Sequence, residues 1–270
     1  MELMKNYLAQ RYQYTDIGGV LSDLAEVLAG VPQGSILGPL LFIIYINDFP
    51  FSTGFQSFLF ADDTSLLLSG NSLETVQNAA QAELTRVEEW FNANKMQINS
   101  KKTRFILFNL PKNKRNEPFK IELGGEMLYR VSEVAEEKFV RLVGVMLDED
   151  LSFKHHVENV KAKLSRANFL MARSRNLLPV DVRVLIYNAL VRSVLEFACV
   201  LYGSAGKGTI DVIEKMQKKI VRNVKGTSGR AHTNDIFIEF GFLKTRDMIE
   251  YNRRILSWSS AWNHARKHKI

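Results

Sequence analysis

The 270 residues hold one cysteine, Cys199, so no disulfide can form within the chain. Set in the apolar run VLEFACVLY, it reads as a buried thiol of a reducing compartment. Histidine is scarce as well. His155, His156, His232, His264 and His268 show no metal-ligand spacing with cysteine, which removes a zinc site; His155-His156 reads as a surface pair at a helix start. Long apolar runs are missing. The longest, Pro39–Ile46, falls far short of the roughly 20 residues that cross a bilayer, so no membrane partner is expected. The opening MELMKNYLAQRY has no extended apolar core and reads as no signal peptide. There is no G-x-G-x-x-G phosphate loop, no internal repeat and no low-complexity segment, which leaves an ATPase reading without support.

What is present is an ordinary globular composition, 46% hydrophobic and 24% charged, long enough for one large domain or two smaller ones. The net charge of +7 is unevenly spread. Residues 1–150 carry 14 Lys/Arg against 20 Asp/Glu, a net of −6, and residues 151–270 carry 22 against 9, a net of +13. An acidic half that can attract metal beside a basic half suits an enzyme that grips a phosphate backbone; C-terminal helices that merely carry solvated lysines are the plainer alternative.

The periodicity divides the chain in the same place. Residues 10–31 read as a strand pair with Gly18-Gly19 in the turn. Gly38-Pro39 opens LLFIIYINDF, a buried helix with proline in its first turn. Phe55–Phe60 and Thr64–Leu68 read as a hairpin whose tip is Asp62-Asp63. Asn71-Ser72 supplies the cap of a helix in which Leu73, Val76, Ala80, Leu84, Val87 and Phe91 recur at helical spacing and Trp90 is core. MQIN, RFILFN, FKIEL and VRLVGVML read as strands, with a polar loop at PKNKRNEP. Beyond Asp148 the pattern is helical: Phe153, Val157, Val160, Leu164 and Ala167 mark one helix, residues 180–202 a second, and residues 209–225 a third, ended by Gly226. The fold class is α+β, with an antiparallel sheet and packed helices over 1–150 and an all-helical basic region over 151–270.

Adjacent carboxylates in apolar company repel each other. A hard divalent cation, Mg²⁺ or Mn²⁺, neutralises them; an exposed Asp-Asp turn is the plainer alternative.

The surrounding motifs decide between the two. PQGSILGPLLFIIYIND followed by FADDT resembles the reverse transcriptases of non-LTR retrotransposons, the jockey-like and LINE-type elements. WFNANKMQINSKKT, LVGVMLDEDLSFKHHVENVKAKLSRANFLMARSRNLLP, LIYNALVRSVLEFACVLYG and IEKMQKKIVRNVKG extend the likeness over residues 8–250. The resemblance implies two-metal nucleotidyl transfer with Mg²⁺ (or Mn²⁺), an RNA template with a DNA primer, deoxynucleoside triphosphates, and action in the nucleus, where element RNA and target DNA meet. It makes Asp62 the metal-binding carboxylate and Asp63 its weaker neighbour, both catalytic. Phe60 becomes the apolar surface by the primer terminus, and Pro32, Gln33, Gly34 and Ser35 the loop against the nascent base pair. Lys102 becomes the lysine that neutralises or protonates departing pyrophosphate. Lys161, Lys163 and Arg166 on one helix, with Lys218, Lys219 and Arg222 on another, would track the nucleic-acid backbone without reading bases.

The same resemblance marks a shortfall. Two ions roughly 3.5–4 Å apart need carboxylates from two strands. In the family the second set stands in an F-D-x-V segment upstream of PQGS, whereas YLAQRYQYTDIGGVLSD aligns after it; Asp16 and Asp23 are therefore no substitutes. The fingers have no counterpart either. The chain reads as the later part of a palm with a thumb, and it is expected to be inactive by itself, with on the order of 7–11 kcal/mol of positioning forfeited. The alternative function is a non-catalytic, sequence-indifferent nucleic-acid-binding fragment. The oligomeric state stays open.

Overall fold

The computed structural model describes residues 2–108, 117–133, 138–227 and 229–267. It mixes helix and strand, 52% of it helical, with every sheet two-stranded, and so belongs to the α+β class. Two compact units emerge: Met1–Lys101 with Phe119–Met127, and Lys102–Pro118 with Leu128–Ile270. No described helix is long and apolar enough to cross a membrane.

The first unit begins with α1 (Glu2–Leu8) and four two-residue strands, β1 (Tyr12–Gln13), β2 (Asp16–Ile17), β3 (Val20–Leu21) and β4 (Ala25–Glu26). They nest antiparallel, β2 on β3 and β1 on β4. Gly18 and Gly19, at φ +62° and +87°, make the expected turn. Next come α2 (Leu37–Ile46), the hairpin β5 (Gln56–Phe60) and β6 (Asp63–Leu67), and α3 (Leu73–Ala93). Ser72 caps α3, its Oγ accepting the Thr75 N–H at 3.1 Å. Ala80, Leu84 and Val87 of α3 are buried, and Phe49, Trp90 and Phe91 form an edge-to-face cluster with centroids 5.1–5.3 Å apart. The hairpin β8 (Glu122–Leu123) and β9 (Glu126–Met127) lies along α3, where Gln81 accepts the Glu122 N–H at 2.8 Å and donates to its carbonyl at 3.1 Å.

The reading of α2 as a buried helix needs correction. Only Gly38 and Ile46 are buried, while Leu40, Ile43, Ile44 and Tyr45 are exposed. The helix is apolar on every side, and the first unit covers only part of its surface; a helix of that composition normally sits fully inside a core.

In the second unit β7 (Arg104–Phe105) pairs in parallel with β10 (Tyr129–Arg130), and β11 (Val140–Leu142) pairs antiparallel with β12 (Val145–Leu147). The strand expected over VRLVGVML is thus a hairpin. Val143 and Gly144 turn it at φ +45° and +84°. MQIN forms no strand, RFILFN contributes two strand residues, and residues 111–116 of PKNKRNEP lie outside the described residues. A strand needs a partner along its length, and periodicity does not report one.

The helices α4 (Lys154–Ser174), α5 (Val180–Tyr187), α6 (Ser193–Glu196), α7 (Cys199–Tyr202), α8 (Lys207–Lys225), α9 (Asn234–Glu239) and α10 (Thr245–Lys267) complete this unit. Val157, Val160, Leu164, Met171, Leu195, Ile213, Ile220 and Val224 pack with Cys199 into one core. The helix expected over 180–202 is broken. A π-turn at Asn188–Arg192 joins α5 to α6, and at Phe197–Ala198 the chain leaves the helix, with Ala198 at φ +54°. The buried Tyr202 hydroxyl donates to the Leu195 carbonyl, one of the acceptors that a helix end leaves over. His156 is not a surface residue. It is 2% exposed, with Nδ1 accepting the Met146 N–H at 3.4 Å.

Candidate functional site

The hairpin carrying the acidic pair is paired over its whole length, from Gln56 opposite Leu67 to Phe60 opposite Asp63. That register leaves Ala61 and Asp62 as the two turn residues. Ala61 holds φ +52°, a left-handed conformation that costs a non-glycine residue about 1 kcal/mol or more. Asp62 therefore stands in the turn and Asp63 opens the returning strand, both exposed beside Phe60, which is 60% exposed.

The base of the hairpin is fixed by α3. Glu83 accepts the Gly54 N–H at 2.6 Å and the Thr53 hydroxyl at 3.1 Å, and pairs with Arg86 at 2.9 Å. The Gly54 N–H is the largest cause that holds the Glu83 carboxyl below its ordinary range, and Thr53 and Arg86 add to it against the opposing effect of burial. Phe55, at the hairpin's entry, is buried. Tyr45, at the end of α2, donates to the Asn94 carbonyl at 2.6 Å, so α3 and its C-cap anchor both α2 and the acidic turn. Glu83 is a positioning residue that sequence reading missed. It looks like any acidic residue on a solvated helix face, and only the tertiary contact with Gly54 reveals it.

The Pro32–Ser35 loop is a tight turn before α2. Gly34 takes φ +78°. Ser35 Oγ donates to the Pro32 carbonyl at 2.7 Å and accepts the Gly38 N–H at 3.0 Å. Ser35 thereby fixes the start of α2, while Gln33 and Gly34 stay exposed. A Cβ on Gly38 would come 2.9 Å from Ser35 Oγ and 3.2 Å from the Pro32 carbonyl, so a glycine is needed for the loop to close onto the helix.

Lys102 ends a 3₁₀ turn, Ser100–Lys102, and is exposed; it falls in the second unit. On α4, Lys161, Lys163 and Arg166 are exposed. On α8, Lys218 pairs with Glu214 at 2.7 Å, Lys219 is exposed, and Arg222 Nε donates to the Ala231 carbonyl at 2.8 Å. The two helices pack together, joined across their polar side by Asn223 donating to Asn168 at 2.9 Å.

The hairpin offers hard oxygen donors of the kind that Mg²⁺ takes one or two at a time beside substrate phosphates. Among the described residues no hydrogen bond or ion pair engages either aspartate side chain. No group of three or more His, Cys, Asp or Glu among them could hold a metal. The described carboxylates thus fit one edge of a magnesium site and do not fit a two-ion centre, which needs bridging carboxylates from a second strand.

Comparison with known proteins agrees with the motifs. The RNA-directed DNA polymerase from mobile element jockey of Drosophila melanogaster is 26% identical over 260 residues, which cover 92% of this chain and 27% of that protein. Its counterpart in Drosophila funebris is 28% identical, with 92% and 27% covered. The probable RNA-directed DNA polymerase from transposon X-element of Drosophila melanogaster is 29% identical over 232 residues, 83% of this chain and 25% of that protein. The chain spans about a quarter of the length of these relatives. No solved structure matches. Residues 3–169, well over half of the chain, match the family described as reverse transcriptase (RNA-dependent DNA polymerase), and the chain belongs to that family, in its non-LTR retrotransposon branch.

Proposed function

We propose that the chain carries the acidic hairpin, the later palm and the thumb of a retrotransposon's RNA-directed DNA polymerase, and that these 270 residues taken by themselves do not polymerise. Reverse transcriptases act on nucleic-acid templates and nucleotides and depend on divalent metal. The observation that carries the reading is the acidic pair at the tip of an anchored hairpin, in a PQGS and FADD context, with no further acidic group assembled beside it among the described residues. When bound, Mg²⁺ would be held by Asp62 and, more weakly, Asp63, and would supply Lewis-acid charge at the phosphates. Phe60 would present its ring to the primer terminus, Pro32–Ser35 would face the nascent pair, and Lys102 would meet the departing pyrophosphate. Primer extension on an RNA template with Mg²⁺ or Mn²⁺ is the test. The chain alone is expected to give no product. The chain fused to the segment that precedes the matching region in the jockey protein is expected to give template-dependent product that Asp62→Ala abolishes. Product from the chain alone, lost in Asp62→Ala, would overturn the claim of incompleteness.

A second reading, sequence-indifferent nucleic-acid binding without catalysis, is favoured by the exposed cations of α4 and α8. Six phosphate contacts would give duplex binding a log–log salt slope of about −5. Salt-insensitive or absent binding would remove this reading.

A further inference from the structure

Arg175, Lys215, Lys218, Lys219 and Arg222 line one cavity of about 470 Å³ together with Thr227, and no carboxylate lines it. The cavity lies wholly within the second unit. Lys215, Lys219 and Arg222 recur at i, i+4 and i+7, which puts them on one stripe of α8. Arg175 reaches the cavity from the residue that caps the C-terminus of α4.

Most of this charge is not neutralised. Lys218 has Glu214 at 2.7 Å. Arg175 donates to the Gly226 carbonyl and Arg222 to the Ala231 carbonyl, bonds that orient the guanidinium groups and leave their charge intact. No ion pair engages Lys215 or Lys219 among the described residues. Like charges gathered in one concavity repel, and an anion seated there removes that repulsion. Gly226 holds the wall in place. It ends α8 at φ +84°, its N–H donating to the Arg222 carbonyl at 2.9 Å.

We infer that this cavity is a discrete site for a phosphate group. Arginine forks and lysines suit phosphate oxygens, and the volume falls within the range of about 300–1,000 Å³ of small-molecule sites, room for a nucleotide-sized ligand. The phosphate can come from a nucleic-acid strand or from a free polyphosphate; only the first source rests on the nucleic-acid reading above. The site differs from a backbone-tracking face because its cations converge on one concavity.

Anisotropy of a labelled oligothymidylate, with tripolyphosphate as competitor and as ligand in ³¹P NMR, tests this on the full chain. Lys215→Ala/Lys219→Ala is expected to weaken oligonucleotide binding by about tenfold or more and to reduce the single-strand salt slope by about 1.4, two contacts at about 0.7 each. Lys154→Ala/Lys207→Ala removes equal charge outside the cavity and is expected to change neither. Far-UV circular dichroism verifies that each variant is folded. An equal loss in both double variants refutes the cavity while leaving general nucleic-acid binding in place. Tripolyphosphate binding that the cavity variant abolishes, without oligonucleotide binding, supports the cavity and assigns its source to free polyphosphate. Binding of neither ligand overturns the site.

Discussion

Gln217 is fully buried and spends every polar atom. Its amide nitrogen donates to the Tyr187 hydroxyl at 2.9 Å and the Leu243 carbonyl at 2.8 Å, while its oxygen accepts from the Thr245 N–H and hydroxyl, both at 2.9 Å. Nothing in IEKMQKKIV marks it, because a lone glutamine in an amphipathic helix is read as solvated. Gln217→Leu keeps the volume and strands four groups, each worth about 1–3 kcal/mol when buried unpaired. A loss of about 3–5 kcal/mol in urea-monitored stability is expected, and a change under about 1 kcal/mol would mean that the network is not intact in solution. Burial pushes the Tyr187 phenol up to about 12, in keeping with that dry setting. His156 gives a pH-dependent counterpart. Burial, and then the positive charge of Lys163, hold its pKa below the ordinary 6.5. The unfolded chain therefore binds a proton that the folded chain refuses, so stability is full above about pH 6.5 and falls as pH drops toward the lowered folded value. The Tm should decline between pH 7 and 5, and this decline should flatten in His156→Phe.

Among the elements, α3 was legible nearly to its cap: the pair Asn71-Ser72 and the apolar spacing through Val87 are local signals, and the structure uses Ser72 of the pair and the spacing. The acidic hairpin was legible for the same reason, since two short apolar strands and a turn lie within a dozen residues. What local signals cannot carry is partnership. Residues 180–202 have an unbroken helical pattern, yet the chain kinks at Phe197–Ala198 so that Tyr202 can pack inside and bond back to Leu195. The buried α2 was misread because its composition reports what the helix wants and not what this part of the fold supplies. The anchoring of the hairpin by Glu83 was invisible for a like reason, and it can be tested. Glu83→Ala leaves the Gly54 N–H and Thr53 hydroxyl without their acceptor, with about 1–2 kcal/mol expected. Amide exchange in Gln56–Leu67 should quicken while exchange in α8 stays as it was. Because the folded Glu83 pKa is lowered, the contribution is complete above the ordinary 4.5 and disappears as pH falls through the folded value. The difference in hairpin exchange between the wild type and Glu83→Ala should shrink as pH falls below 4.5.

At the scale of the whole molecule the two units differ in how well they bury what they contain. The second has a continuous core of 23 buried residues among those described, several with no exposed surface, such as Leu164, Met171, Ile213 and Val224. It also contains a bidentate ion pair, Arg130 to Glu149 at 2.7 and 2.8 Å. The first unit's buried apolar side chains among the described residues are few, chiefly Ile46, Phe49, Phe55, Leu84, Val87, Ile121 and Leu123, while Leu40, Ile43, Ile44, Phe58 and Phe60 face solvent. Since hydrophobic stabilisation scales with apolar area removed from water, about 25 cal/mol per Å², the first unit should be the weaker. A chain of two units with unequal cores has no obligation to melt in one step. Thermal unfolding should therefore show two transitions. Near-ultraviolet signal from Trp90, edge-on to Phe49 and Phe91, should disappear in the first, and most of the far-ultraviolet helical signal should persist to the second. Ile43→Glu, on the exposed side of α2, should reduce binding of an apolar dye before the first transition and leave the second transition temperature unchanged. A single cooperative melt with coincident near- and far-ultraviolet curves would show instead that the acidic hairpin shares the stability of the helical core.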